Sequence, residues 1–133
     1  MSNFEYPSYE GALKAAGGIV LEFAQFGSFQ GDWFALVKVN NNRILVGGSY
    51  GSCSGCDALQ SEFDYDYDAP DFPLKYSEFG KRYLENPLDV DLNINKFTEQ
   101  MEWDQEAEDV LKFLIEVKKQ MFYNKLEKEL NNE

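Results

Sequence analysis

Histidine is absent from the 133 residues of this sequence. Its absence excludes serine–histidine and cysteine–histidine catalytic pairs, and it removes the imidazole ligand on which many zinc sites depend. An enzyme made from this chain would have to use carboxylates, cysteine or lysine instead. We therefore expect a protein that is not an enzyme and that holds no cofactor.

Basic residues are scarce: 12 Lys and Arg stand against 24 Asp and Glu, so the formal net charge is −12. Nucleic acids and anionic membranes are attracted through Lys and Arg, and a surface of the opposite sign repels them. We expect no direct binding to nucleic acid or to a membrane. A basic protein surface is the natural complement of such a chain.

Long apolar runs are also missing, since none approaches the roughly 18 residues of a membrane span. The start of the chain, Met1 to Tyr9, lacks the basic residues and the apolar stretch of a signal peptide. The two cysteines are few for a chain that folds in an oxidising compartment. Together these absences predict a cytoplasmic protein.

Apolar and aromatic side chains, in contrast, are plentiful. Hydrophobic residues make up 44% of the sequence and aromatic residues 16%, which is typical of a globular protein. The length fits one domain over residues 1–133. A core of this size needs neither a disulfide nor a metal ion to fold.

The first half of the sequence predicts a short helix followed by three strands. Ser8 is expected to cap the helix, and Gly17 and Gly18 to end it. Alternating and β-branched residues predict strands over 19–26, 32–40 and 43–50, with a tight turn at Asn40–Asn42. Because the second strand is apolar on both faces, helices are expected to cover both sides of the sheet.

The second half has helical periodicity in most of its length. It predicts a short helix to about residue 63, a second helix over 72–85, and an extended segment with one buried face over 89–95. The last helix has the strongest pattern, with apolar residues at three- and four-residue steps from Trp103 to Leu126. The predicted fold class is α+β: a three-stranded antiparallel meander packed by helices, with a long C-terminal amphipathic helix.

Two acidic segments stand out. The first combines carboxylates with tyrosines and contains no basic residue, and its members are Asp64, Tyr65, Asp66, Tyr67, Asp68 and Asp71. An EF-hand calcium loop is excluded there, because its sixth and twelfth positions would be Ala69 and Lys75. We predict that these six residues bind a protein partner. The second segment is interpreted as the polar start of the last helix, and consists of Glu99, Glu102, Asp104, Glu106, Glu108 and Asp109.

A Cys-x-x-Cys pair lies in a glycine-rich stretch between the third strand and the next helix. Cys53 and Cys56 are candidates for disulfide exchange or, together with Asp57, for an incomplete metal site. They are also consistent with small side chains packed at a sharp turn. A third alternative is a pocket in which the amides of residues 51–55 hold an anionic group.

The stretch from Gly31-Asp32-Trp33 to Ser52-Cys53-Ser54-Gly55-Cys56-Asp57 resembles a segment of small uncharacterised proteins from bacteria and their phages. No established activity comes with this resemblance. It implies a setting in which small acidic proteins act as counter-defence inhibitors or neutralise toxins. The resulting hypothesis is a non-catalytic inhibitor or nucleic-acid mimic that covers a basic surface on a nucleic-acid-processing protein, with the cysteine pair as the alternative.

Overall fold

The computed structural model describes residues 7–28, 30–51, 57–63 and 69–131. Its elements in chain order are α1 (Tyr9–Ala15), β1 (Ile19–Gly27), β2 (Gly31–Val39), β3 (Asn42–Tyr50), α2 (Ala58–Phe63), α3 (Phe72–Leu84), α4 (Val90–Gln100) and α5 (Glu106–Asn131). The predicted α+β class is confirmed. Within the described ranges, every helix is too short or too polar to cross a membrane.

The three strands form one antiparallel meander in the order β1-β2-β3. β2 and β3 pair without a register shift from Val39↔Asn42 to Gly31↔Tyr50. The turn between them places Asn40 and Asn41 in the left-handed region, at φ 51° and 68°. Asparagine adopts this conformation more readily than most residues, so the predicted tight turn is confirmed.

Both faces of the sheet are buried, as the apolar pattern of β2 predicts. On one face Trp33, Ala35 and Val37 pack against α1, α2 and α3 in a core rich in aromatic rings. On the other face Phe34 and Leu36 pack against α4 and α5. Alternation along an extended strand sends successive side chains to opposite faces, which explains why β2 reads as a continuous apolar run.

The first core depends on a close approach of α1 to α3. Ser8 caps α1, because its Oγ accepts a hydrogen bond from the amide of Gly11 at 2.9 Å, and Gly17 follows the helix with a positive φ of 95°. At Gly80 in α3, an added Cβ would lie only 1.9 Å from the carbonyl oxygen of Ala12. The two helices can pack this closely because residue 80 has no side chain.

Two predictions for the second half are wrong. Residues 90–100 form α4, not an extended segment: Asp89 accepts from the amide of Leu92 as an N-cap, and Phe97 is buried. Asp89, Asp91 and Asn93 alternate with apolar residues, which is the pattern of a strand with one buried face. The segment is helical because a helix lets Phe97 and Ile94 pack together in the core beneath the sheet. Trp103 is not part of the buried stripe of the last helix, because it precedes α5.

Candidate functional site

The junction between β3 and α2 is organised by one buried carboxylate, that of Asp57, which is only 7% exposed. Its Oδ1 accepts hydrogen bonds from the amides of Leu59 at 3.0 Å and Gln60 at 3.2 Å, so Asp57 caps α2. Its Oδ2 accepts from the amide of Gly51 at 2.9 Å. The carboxylate therefore holds the end of β3 against the start of α2.

Tyr9 supplies the fourth donor to this carboxylate. Its hydroxyl donates to Oδ1 of Asp57 at 2.7 Å, and its ring stacks on Trp33 with 4.7 Å between centroids. Burial, followed by the hydrogen bond to Asp57, raises the pKa of Tyr9 well above its usual value near 10. The phenol thus stays protonated and ties α1 to the junction.

A pocket of about 350 Å³ opens beside this cluster, lined among others by Tyr9, Gln25 and Gly51. The amide of Gly51 already donates to Asp57, and the carbonyl of Gly51 accepts from Nε2 of Gln60 at 2.8 Å. These groups are used by the chain itself. The geometry at Gly51 therefore indicates a structural junction, and this amide is not available to an anionic ligand. Residues 52–55, whose amides complete the predicted anion pocket, lie outside the described residues.

The cysteine pair cannot be placed in this arrangement, because Cys53 and Cys56 lie outside the described residues. Of the three residues suggested for a thiol or metal site, Asp57 alone is described, and both of its oxygens accept hydrogen bonds from the protein. Within the described ranges, no group of three or more acidic or cysteine side chains is arranged to hold a metal ion. The thiol alternative stays a prediction.

The predicted partner-binding segment is described only at its end. Asp64, Tyr65, Asp66, Tyr67 and Asp68 lie outside the described residues. Asp71 precedes α3 without capping it through its side chain, and it pairs with Lys75 one turn later at 3.1 Å, where both side chains are exposed. An exposed pair of this kind contributes little to stability, so Asp71 is open to a partner.

The second acidic segment, predicted to be the polar start of the last helix, forms an exposed corner that also contains a tryptophan. The corner between α4 and α5, residues 99–109, carries six carboxylates and no Lys or Arg. At its centre the side chain of Trp103 is 72% exposed, and that of Met101 is 46% exposed. We refer to residues 99–109 as the acidic corner.

The backbone fixes the shape of this corner. The amides of Trp103 and Asp104 donate to the carbonyl of Gln100 at 3.1 and 2.9 Å, which closes the turn after α4. Oδ1 of Asp104 accepts from the amide of Glu106 at 3.0 Å and so starts α5. Trp103 is held between these two sets of bonds, on a turn that is anchored by the helices on either side.

The carboxylates of the corner are nearly all without an ion pair. Of the six carboxylates, only Glu108 has a cationic partner among the described residues, namely Lys112 at 3.7 Å. The polar start predicted for the last helix is correct for Glu106, Glu108 and Asp109, which lie in its first turn. Glu99, Glu102 and Asp104 lie before the helix.

The signal that could have located this surface is the gap between Lys96 and Lys112. Over those fifteen intervening positions the sequence has acids, apolar residues, amides and one threonine but no Lys or Arg. The three- and four-residue spacing included Trp103 in the helical stripe, since periodicity alone does not show where a helix begins. Asp104 indicates where α5 begins, because aspartate is favoured at the start of a helix.

Comparison with known proteins adds no further evidence on function. No family model matches the chain, and the searches of curated proteins and of solved structures found no match either. The resemblance of residues 31–57 to small bacterial and phage proteins stays a prediction.

Proposed function

We propose that this protein is an acidic binding protein whose acidic corner docks on a basic surface of a partner protein. The observation that carries the proposal is the exposed indole of Trp103 within an eleven-residue segment that contains six carboxylates and no Lys or Arg. Tryptophan is the residue type most enriched among side chains that dominate binding energy. Here it stands on a hydrogen-bonded turn, so little conformational freedom is lost when a partner covers it.

The charges around Trp103 define the chemistry of the partner. Uncompensated carboxylates attract Lys and Arg over several ångströms and speed association, while the indole supplies apolar contact area. A guanidinium group can also stack on the face of the indole. The complementary surface therefore contains arginines or lysines around a hydrophobic depression.

Surfaces with that composition are typical of proteins that bind nucleic acids, where Lys and Arg neutralise phosphates. Spaced carboxylates on a firm turn would compete for the same cations. The finer form of the proposal is accordingly that the chain inhibits a nucleic-acid-processing protein by mimicking its anionic ligand. Asp71 and the predicted partner-binding residues 64–68 would be a separate contact, because α3, which follows Asp71, packs on the opposite face of the sheet from α4 and α5.

The test is affinity capture from a lysate of the native host with the immobilised protein, in parallel with the variants Trp103→Ala and Phe122→Ala. Phe122 is a matched control, because it is an aromatic residue that is 57% exposed on α5 and lies outside the acidic corner. A partner that supports the proposal is retained by the wild type and by Phe122→Ala, and is lost with Trp103→Ala.

Salt and competition supply the second criterion. The association rate should fall as ionic strength rises, since opposite charges steer the encounter. For a nucleic-acid-processing partner, the isolated protein should also displace a bound oligonucleotide. A partner that both variants retain equally, or whose binding does not respond to salt, would contradict the proposal.

A further inference from the structure

β3 is an edge strand, and its hydrogen-bonding pattern shows which residues face outward. The two-residue turn makes Val39 and Asn42 a hydrogen-bonded pair, so Asn42 and every second residue after it bond to β2. The intervening residues direct their N–H and C=O groups away from the sheet. One of these, Leu45, indeed accepts at its carbonyl from the amide of Leu88 at 2.7 Å.

This Leu45–Leu88 contact is an isolated antiparallel bridge, so the chain before α4 covers only the first part of the edge. Two further outward positions follow, Gly47 and Ser49. Among the described residues no main-chain group bonds to either of them, and the carbonyl of Ser49 receives only a long contact, 3.5 Å, from the hydroxyl of Tyr9. Ser49 is exposed.

Two pockets flank this open part of the edge, one on each face of the sheet. The first, of about 380 Å³, is mainly apolar and is lined by Phe79 and Tyr83 of α3. The second, of about 190 Å³, is equally polar and apolar, with Asp32, Asn93 and Lys96 on its polar part and Phe34 on its apolar part. Gly47 and Leu88 line both, so the pockets meet at the strand edge.

We propose that the edge at Gly47–Ser49 binds an extended peptide segment of a partner as a fourth strand of the sheet. Successive side chains of a strand point to opposite faces, so a peptide alongside β3 would send an apolar side chain into the first pocket and an uncharged polar one into the second. Main-chain bonds to Gly47 and Ser49 provide affinity, and the pockets provide selectivity.

A second copy of this chain is the less suitable occupant. Two molecules that each carry a net charge of −12 repel one another, whereas a peptide with one apolar and one polar anchor carries no such charge. This site is also independent of the acidic corner, because Trp103 lines neither pocket. The failure of one proposal would leave the other intact.

The test uses the variants Ser49→Pro and Ser49→Ala. Proline removes the outward N–H of residue 49, and it is tolerated on an edge strand because that N–H is not part of the ladder with β2. Alanine keeps the N–H and removes only the hydroxyl. Far-UV circular dichroism and thermal unfolding verify that both variants fold.

The probe is a displayed library of random nine-residue peptides, selected on the full-length wild type and then measured individually by titration. Enriched peptides should alternate an apolar with a polar residue. They should bind Ser49→Ala within about twofold of the wild type, and Ser49→Pro about tenfold more weakly, as expected for the loss of one hydrogen bond and a steric block. N-methylation of the peptide backbone at the central residue should abolish binding.

Three outcomes would overturn the proposal. One is a library without enriched sequences, and another is a set of peptides that bind Ser49→Pro as tightly as the wild type. The third is a dimer in sedimentation that Ser49→Pro dissociates, since the edge would then belong to a second copy. If Ser49→Pro fails to fold, the N-methylated peptides decide the question on the wild-type protein.

Discussion

Asp57 and the carboxylates of the acidic corner are the same chemical group in opposite surroundings. Asp57 is buried and accepts four hydrogen bonds, three from backbone amides and one from Tyr9. Glu99 and Glu102 are exposed and, within the described part of the chain, have no cationic partner. The net charge of −12 therefore combines carboxylates with different roles.

The difference follows from solvation. A buried carboxylate is tolerated only when donors replace the water that it has lost, and those donors then depend on it. An exposed carboxylate keeps its water and contributes little to the fold, but its field reaches a partner. We thus expect a substitution at Asp57 to affect unfolding, and substitutions in the corner to affect binding.

The largest effect is expected from Asp57→Ala. It removes the cap of α2 and leaves the amide of Gly51 and the hydroxyl of Tyr9 without their acceptor. The free energy of unfolding should fall by about 3 kcal/mol, which combines a lost cap with buried donors left unsatisfied. Urea unfolding monitored by circular dichroism measures this change.

Asp71→Ala is the matched control for that measurement. Asp71 also precedes a helix, but its side chain makes no capping bond and pairs only with exposed Lys75. Its loss should change stability by less than about 0.5 kcal/mol. Equal effects at the two positions would show that the hydrogen bonds of Asp57 do not stabilise the junction.

Trp103→Ala should have the opposite profile. Because the indole is 72% exposed, its removal should leave the unfolding curve within about 0.5 kcal/mol of the wild type. Binding to the captured partner should weaken by about 2 kcal/mol, close to thirtyfold, as is typical of a central aromatic anchor. Calorimetric titration measures the affinity, and thermal unfolding measures the stability. A Trp103→Ala variant that is destabilised but binds with unchanged affinity would show that Trp103 serves the fold and not binding.

Tyr9→Phe tests the buried site with less disturbance, since it deletes one of the four donors to Asp57 and keeps the ring on Trp33. At pH 8 the variant should be less stable by about 1 kcal/mol. Folding raises the pKa of Tyr9, so the unfolded state releases the phenolic proton first. The hydroxyl of Tyr9 therefore makes its full contribution to the free energy of unfolding below about pH 10, and this contribution decreases as the pH rises further.

The stability difference between wild type and Tyr9→Phe should consequently shrink by about 1 kcal/mol over the first pH unit above 10. Urea unfolding at pH 8 and pH 11 measures it. The pKa of Tyr83 is also raised by burial, but this residue is present in both proteins and its effect cancels in the difference. A difference that stays constant or grows with pH would contradict the role given to Tyr9.

Much of the fold could be predicted from the sequence, because local signals and tertiary packing agree there. The cap at Ser8, the Asn40–Asn41 turn and the two apolar faces of β2 each determine their structure within a few residues. Residues 89–95 were misread because polar and apolar residues alternate by chance within a helix. The burial of Phe97 could not be predicted locally, because it depends on contacts with residues that are distant in the sequence.

The candidate sites were less predictable, for a physical reason. The roles of Asp57 and Trp103 depend on how far each side chain is exposed to solvent. That exposure is determined by the whole fold and cannot be predicted from the neighbouring residues in the sequence. Tyr9 lies 48 positions from Asp57, and nothing local links them. The open edge at Gly47 likewise depends on where the chain before α4 leaves β3.

Glu99→Gln should give the smallest effect and the sharpest contrast with Asp57. Glu99 lies in the last turn of α4, where the partial negative charge of the helix end disfavours an acid, and other carboxylates of the corner follow closely. Neutralising it should therefore increase stability by about 0.3 kcal/mol at low salt, and this gain should vanish at high salt. The same variant should slow association with the partner.

Thermal unfolding and stopped-flow mixing at two salt concentrations measure both changes. If Glu99→Gln is more stable and associates more slowly, Glu99 contributes to binding at a cost in stability. If Glu99→Gln is less stable, the acidic corner, like Asp57, stabilises the fold.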